Sequence, residues 1–234
     1  MQLCCVRILD VTTSTSAFQR ARSPEAKQAR EAAILDAARS LGAERGIRSV
    51  TLTDIADAVG MHKSALLRYF ETREQIFLLL TAEGWRDWGP ELCCSLDDLE
   101  SPTPATVARA LAESLARRPV FCDLLAQAPL NLERNVSLDA VLAFKLVTLE
   151  QVELITAALQ RALPALTERD CVDLVAAVTS LSGALWQMAT PGPEIAALYR
   201  SDPRLAHAVV EVEPRVTRIL TATIAGLVGD TPGR

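Results

Sequence analysis

The chain has 234 residues, of which 50% are hydrophobic, 23% charged and 4% aromatic, a balance that excludes disordered, collagenous and low-complexity proteins. The formal net charge of −5 argues against indiscriminate binding to polyanions, but the charge is uneven: residues 20–74 carry 10 basic and 8 acidic side chains, residues 75–234 carry 13 and 20. A mildly basic head on an acidic body suits a short module that meets DNA phosphates while the rest of the surface is repelled.

The hydrophobic residues are mostly Ala, Leu and Val, and Gly and Pro gather between periodic stretches, so the fold class expected is all-α. Residues 1–22 show no sustained period and are expected to form a flexible arm ending in Arg20 and Arg22. Ser23-Pro24 reads as an N-cap and first-turn proline for a helix to Arg45, with Ile34, Leu35, Ala38 and Leu41 at core spacing and Gly46 at its end. Thr51 and Asp54 have capping-box spacing ahead of Ile55, Ala56 and Val59, and Gly60 closes that short helix. A turn at Met61-His62 leads to a helix over about 63–69. Thr72 and Gln75 then cap a fourth helix with the stripe Ile76, Phe77, Leu79 and Leu80. Pro90 and Ser101–Pro104 read as loops, with helices expected over about 104–117, 120–128, 136–163, 168–189 and 204–227, the last kinked or restarted at Pro214. In the 168–189 helix the core stripe is Val172, Val175, Val178, Leu181 and Leu185.

Thr51–Arg73 has the pattern of a helix-turn-helix, the second helix of which leaves one face free. Leu66 and Phe70 are spaced to pack inward, which turns Lys63, Ser64, Leu67 and Arg68 outward. A leucine between two cations suits a major groove, where a cation donates to guanine and an apolar side chain touches a thymine methyl. Arg73 stands at the positive end of a helix dipole, an unfavourable place that a bound phosphate would make favourable.

The run R-x3-IL-x-AA, T-x-x-D-IA, A-x-G and L-x-x-YF-x-x-R-E-x-I-F over residues 30–77 resembles the DNA-binding domain of the TetR family of transcriptional regulators. The resemblance implies an N-terminal three-helix DNA-binding domain (23–73) joined to a C-terminal helical ligand-binding and dimerisation domain (74–234). It places Thr51 and Thr53 at phosphate or base edge, Lys63, Ser64 and Ala65 in the groove, and Tyr69 and Arg73 on phosphates. Leu67 stands where the family has a phosphate-contacting Tyr, Ala65 where Thr or Ser is common, and His62 where Ser caps the helix. His62 is left between phosphate contact and capping.

The same resemblance implies a homodimer on a palindromic double-stranded operator, since one helix-turn-helix reads only a few base pairs. It further implies repression, with release by a small apolar or amphipathic effector. The inter-subunit bundle falls on Leu174, Leu181, Gly183, Leu185, Val216, Ile219 and Leu220. Pocket candidates are the large side chains Trp85, Trp88, Phe121, Phe144, Trp186 and Met188. Pro119 and Pro129 are expected to loosen the wall nearby. The implied mechanism is rigid-body: ligand shifts the fourth helix and the spacing of the recognition helices.

Catalysis is not expected: the histidines are His62 and His207, and no nucleophile elbow, metalloprotease motif, P-loop or dinucleotide fingerprint is present. No cofactor or metal is expected; Cys4, Cys5, Cys93, Cys94, Cys122 and Cys171 lack C-x-x-C spacing and read as reduced thiols, with Cys93-Cys94 in a loop. The alternatives are a thiol-redox regulator of the same fold and a helical interaction protein without specific DNA binding. No apolar run reaches the ~18–20 residues of a bilayer span and no leader is apparent, so no membrane partner and a cytoplasmic location are expected.

Overall fold

Local capping signals set most of the helix boundaries in the computed structural model, which describes residues 15–229, with side chains described from residue 24. The helices are α1 (Thr15–Arg45), α2 (Leu52–Ala58), α3 (Lys63–Leu66), α4 (Arg73–Asp97), α5 (Pro104–Ala116), α6 (Pro119–Gln127), α7 (Leu138–Ala162), α8 (Glu168–Ala189), α9 (Pro193–Ser201) and α10 (Val212–Gly229). Short 3-10 turns follow α1 (Ile47–Ser49) and α9 (Pro203–Ala208), and one π turn (Ala128–Leu132) follows α6. Thr51, Thr103 and Thr167 each close a capping box. Pro104, Pro119 and Pro193 open their helices, where a missing N–H costs nothing.

α1 to α3 and the start of α4 enclose the head's own core of Ile34, Ala38, Ile47, Val50, Ile55, Ala56, Leu66, Phe70, Ile76 and Phe77, all at most 5% exposed. The body forms around α4, which packs on α7 and α5, while α10 packs on α5 and α8, and α6 on α8. Trp88, Leu92, Leu111, Leu115, Ile155, Leu159, Val178, Val216, Leu220 and Ile224 are buried there. Full burial of one such aliphatic side chain is worth ~1.5–3 kcal/mol. The indole of Trp88 donates to Ser114 Oγ at 2.8 Å, so the one polar atom of that ring has a partner. Gly84 lets α4 approach the Phe121 ring, because a Cβ there would overlap the ring carbons.

Several expectations are corrected. α1 begins at Thr15, so Pro24 lies inside it rather than opening it, and only residues 1–14 of the expected arm, Cys4 and Cys5 among them, lie outside the described residues. The side chains of Arg20 and Arg22 also lie outside the description. Pro90 sits within α4, on its exposed side, and Cys93-Cys94 are therefore helical. Residues 193–208 form α9 and a 3-10 turn, and the last helix begins at Val212, which puts Pro214 in the first turn. Leu79 and Val172 are exposed at 38% and 41%, on the outer edges of their stripes. Among the described residues α8 is one helix long and apolar enough to cross a bilayer by composition, yet its Cys171, Leu174, Val175 and Val178 are packed into the body.

Candidate nucleic-acid interface

The geometry of α2 and α3 follows from three residues. Thr51 Oγ1 accepts the Asp54 amide at 3.2 Å, and Asp54 Oδ2 accepts the Thr51 amide at 2.7 Å, which starts α2. The Thr51 hydroxyl, which donates to Asp54 Oδ2 at 2.6 Å, and the Thr51 amide together hold the Asp54 carboxyl below the ordinary carboxylate range. Gly60, at φ +64°, ends α2 in a left-handed conformation that a side chain would resist. The Gly60 amide donates to Asp57 O at 3.1 Å and the Met61 amide to Ala56 O at 2.8 Å, the paired bonds of a Schellman end. α3 follows at once. After Leu66 it tightens, with Arg68 and Tyr69 amides donating to the carbonyls three residues back, so the regular part is shorter than the expected 63–69.

Leu66 and Phe70 face the head's core, at 0% and 5% exposure. Lys63, Ser64, Leu67 and Arg68 are exposed, Leu67 at 45%, so the apolar residue between two cations is presented to solvent. Among the described residues neither Lys63 nor Arg68 belongs to an ion pair. Thr53 and His62 are also exposed, and Ala65 of α3 and Tyr69 of the turn that continues it are half-buried. His62 occupies the N-cap position of α3 but its side chain makes no capping bond. Thr51 is exposed, with its hydroxyl engaged by Asp54 at 2.6 Å.

Arg73 has partners within the chain. Its guanidinium donates to Val50 O and Ile47 O, pairs with Glu74 at 3.1 Å, and lies 4.6 Å from the centre of the Phe77 ring. These contacts offset the cost of a cation at the start of α4, since carbonyls of the turn after α1 face its charge. The segment around Ile47 is held from the other side by Asp123 of α6, whose Oδ2 accepts the Ile47 amide at 2.7 Å. Asp123 was not anticipated, although a carboxylate in the apolar run Val120-Phe-Cys-Asp-Leu-Leu125 is a signal, since a buried charge needs donors.

The pocket candidates do not converge on one site. Trp85, Trp88 and Phe121 pack against one another with ring centres 5.3–6.1 Å apart and are buried. Phe144 instead lines a cleft of about 170 Å³ between α4 and α7, with Leu78, Leu79, Ala82, Val147, Gln75 and Arg86. Trp186 lines a larger cleft of about 560 Å³ where α1, α6 and α8 meet, and Met188 is 57% exposed.

The dimer candidates divide as well. Leu174, Gly183, Leu185, Val216 and Leu220 are buried in the chain's own core, Gly183 against the backbone of Ala126, while Leu181 and Ile219 are half-buried. The faces left open are Val172, Ala176, Ser180, Ala184 and Met188 on α8, and Ala222, Ala225 and Gly226 on α10.

Burial pushes the thiols of Cys93, Cys122 and Cys171 upward, Cys122 to about 12 and Cys171 to about 11, which suppresses their reactive thiolates. Among the described cysteines Cys94 alone is exposed.

Comparison with known proteins extends these observations. Residues 34–80 match the family model described as bacterial regulatory proteins, tetR family, and residues 82–230 match the tetracyclin repressor-like C-terminal domain. Over 50 residues, 21% of the chain, it is 42% identical to the HTH-type transcriptional repressor KstR2 of Rhodococcus jostii (strain RHA1), of which the match spans 24%. The fold is similar to that of Thermus thermophilus FadR, a TetR family repressor solved in complex with lauroyl-CoA, at 20% identity and a TM-score of 0.53 over 87% of this chain and 96% of that one. It is similar also to PfmR, a TetR family regulator of Thermus thermophilus, at 20% identity and a TM-score of 0.52 over 82% and 97%.

Replacing Arg73 by Ala is expected to destabilise the chain by ~1.5–3 kcal/mol, the worth of charge-assisted bonds to carbonyls, whereas Arg68→Ala should leave stability within ~0.5 kcal/mol. Urea unfolding of the two variants checks this; equal, small effects would show that Arg73 is not an internal anchor.

Proposed function

The chain belongs to the TetR family, whose members are DNA-binding transcriptional regulators and not enzymes, and from that premise we propose that it is a homodimeric repressor of a palindromic operator. The observation that carries this reading is the outward face of α3, where Lys63, Ser64, Leu67 and Arg68 stand exposed. Lys63 and Ser64 at the helix start are the groove-facing donors, Leu67 and Ala65 the apolar contacts, and Thr51, Thr53, His62, Arg68 and Tyr69 flank them toward the backbone. Base edges supply the specificity and phosphates the register. Residues 23–73 are the DNA-reading unit and residues 74–234 the body, and the protein works in the cytoplasm beside its DNA.

Two copies meet through the open faces of α8 and α10. The small side chains of Ala176, Ser180, Ala184, Ala222, Ala225 and Gly226 permit close helix approach, and Leu181 and Ile219 are the expected interface residues still within a partner's reach. A four-helix bundle made this way sets two copies of α3 about one helical turn, ~34–36 Å, apart.

A small apolar or amphipathic effector releases the operator. The cleft between α4 and α7 joins an apolar wall to the cation Arg86, and at about 170 Å³ it must widen to take a ligand of ordinary size. Widening moves α4, which begins at Arg73 inside the head. Linkage then requires ligand and operator to weaken each other by the same factor, typically worth ~1–3 kcal/mol.

Selection of genomic fragments by the purified chain tests this reading. The expected result is a palindrome bound with a steep salt dependence. Lys63→Ala should cost ~1–3 kcal/mol if it reads a base, and Arg68→Ala should reduce the salt slope by ~1 if it meets a phosphate. Weak, sequence-blind capture unaffected by either variant would favour the helical interaction protein instead. In parallel, Ala184→Glu is expected to convert a dimer to a monomer in light scattering and to abolish tight operator binding; a variant that stays dimeric would move the interface elsewhere.

A further inference from the structure

Two carboxylates outside the DNA-facing set join the head to the body. Asp123, 7% exposed on α6, accepts the Ile47 amide on Oδ2 at 2.7 Å and the Gln187 side-chain amide on Oδ1 at 2.7 Å. One side chain thus links the turn after α1 to the end of α8. Glu71, in the turn between α3 and α4, accepts the Ser137 amide at 3.1 Å and the Ser137 hydroxyl at 2.9 Å. Ser137 is the N-cap of α7, and its Oγ also accepts the Ala140 amide at 3.3 Å. The stretch from Asp123 to Ser137, which includes the π turn and the whole connection between α6 and α7, is therefore fastened to the head at both ends.

Each fastening lies one step from the DNA-facing helix. Glu71 directly follows Phe70, which is buried beneath α3. Ile47, whose amide Asp123 holds, gives its carbonyl to Arg73 at the first residue of α4. Asp123, with a different element on each oxygen, resists displacement of either, since a lost donor leaves a largely buried charged oxygen without a partner, whereas the exposed Glu71 grips Ser137 with both oxygens. α6 cannot slide along α8 without drawing on Ile47, and α7 cannot retreat without drawing on the turn that ends α3.

We propose that the Asp123–Ile47 and Glu71–Ser137 ties carry the coupling between the body and α3, so that residues 119–137 are the relay of regulation. This rests on the reading of α3 as the operator-binding helix, and it adds a path through α6 and the α7 start to the movement of α4. Asp123, Gln187, Glu71 and Ser137 act here as positioning residues and touch no DNA.

Deuterium exchange on the full chain, free and bound to the selected operator duplex, tests the proposal. In the wild type, operator should slow exchange in α2 and α3 by direct cover, and also across residues 119–137 by ~5-fold or more, the low end of typical coupling. In the double variant Glu71→Gln/Asp123→Asn, operator should still cover α2 and α3 while the change across 119–137 is largely lost. Gln187→Leu, at an exposed position of α8, removes one donor from Asp123 and should reduce the same change where the double variant folds poorly. A remote change that persists in these variants, or that is absent in operator-bound wild type, overturns the proposal. A wild type in which even α2 and α3 gain no cover overturns the reading beneath it, and the two failures are distinguishable.

Discussion

The backbone of Ile47 is the point on which the arrangement of head and body turns. Its N–H is held by a carboxylate of α6 and its C=O by the guanidinium that opens α4, while its side chain is fully buried in the head's core. A short 3-10 turn that would otherwise be a loose connection is thus fixed from three directions. α1 and α2 leave this turn at set angles, and α2 in turn sets α3 through the glycine at position 60. The orientation of the exposed face of α3 therefore follows from bonds made at this turn as well as from its own packing.

The body complements this. α4 runs without interruption from Arg73 in the head to Asp97, so the two parts share a helix and not a linker. The aromatic triad of Trp85, Trp88 and Phe121 packs beside α4, and clefts lie between α4 and Phe121, between α4 and α7, and at the junction of α1, α6 and α8. These clefts all touch helices that belong to or contact the head. A regulator of this family needs sites whose occupation is felt at the DNA, and the packing here puts the available space next to the elements that reach it.

What was legible in the sequence was mostly local. Thr51, Thr72, Thr103 and Thr167 announce their helices because a cap involves residues three apart, and Gly60 and Pro104 act within one turn. Pro90 misled because a proline on the exposed face of a helix already held by burial on the other face is tolerated. α9 was missed because it buries none of its residues, so no core period marks it. Leu174, Val216 and Leu220 read equally well as a partner's contact or as the chain's own core, because an apolar stripe does not say which of two helices covers it. Arg73 illustrates the same limit: an unfavourable cation at a helix start calls for an anionic or carbonyl partner, and only the fold brings the Ile47 and Val50 carbonyls to it. Asp123 was legible as an anomaly in an apolar run, while its partners, 76 and 64 residues away, were not.

The claim that the face of α3 reads DNA as one half of a symmetric pair is tested most directly by hydroxyl-radical footprinting of the selected duplex. Two protected patches centred about one helical turn, ~34–36 Å, apart and related by a two-fold axis are the predicted result. A single patch, or protection that spreads along the duplex as protein is added, would contradict it.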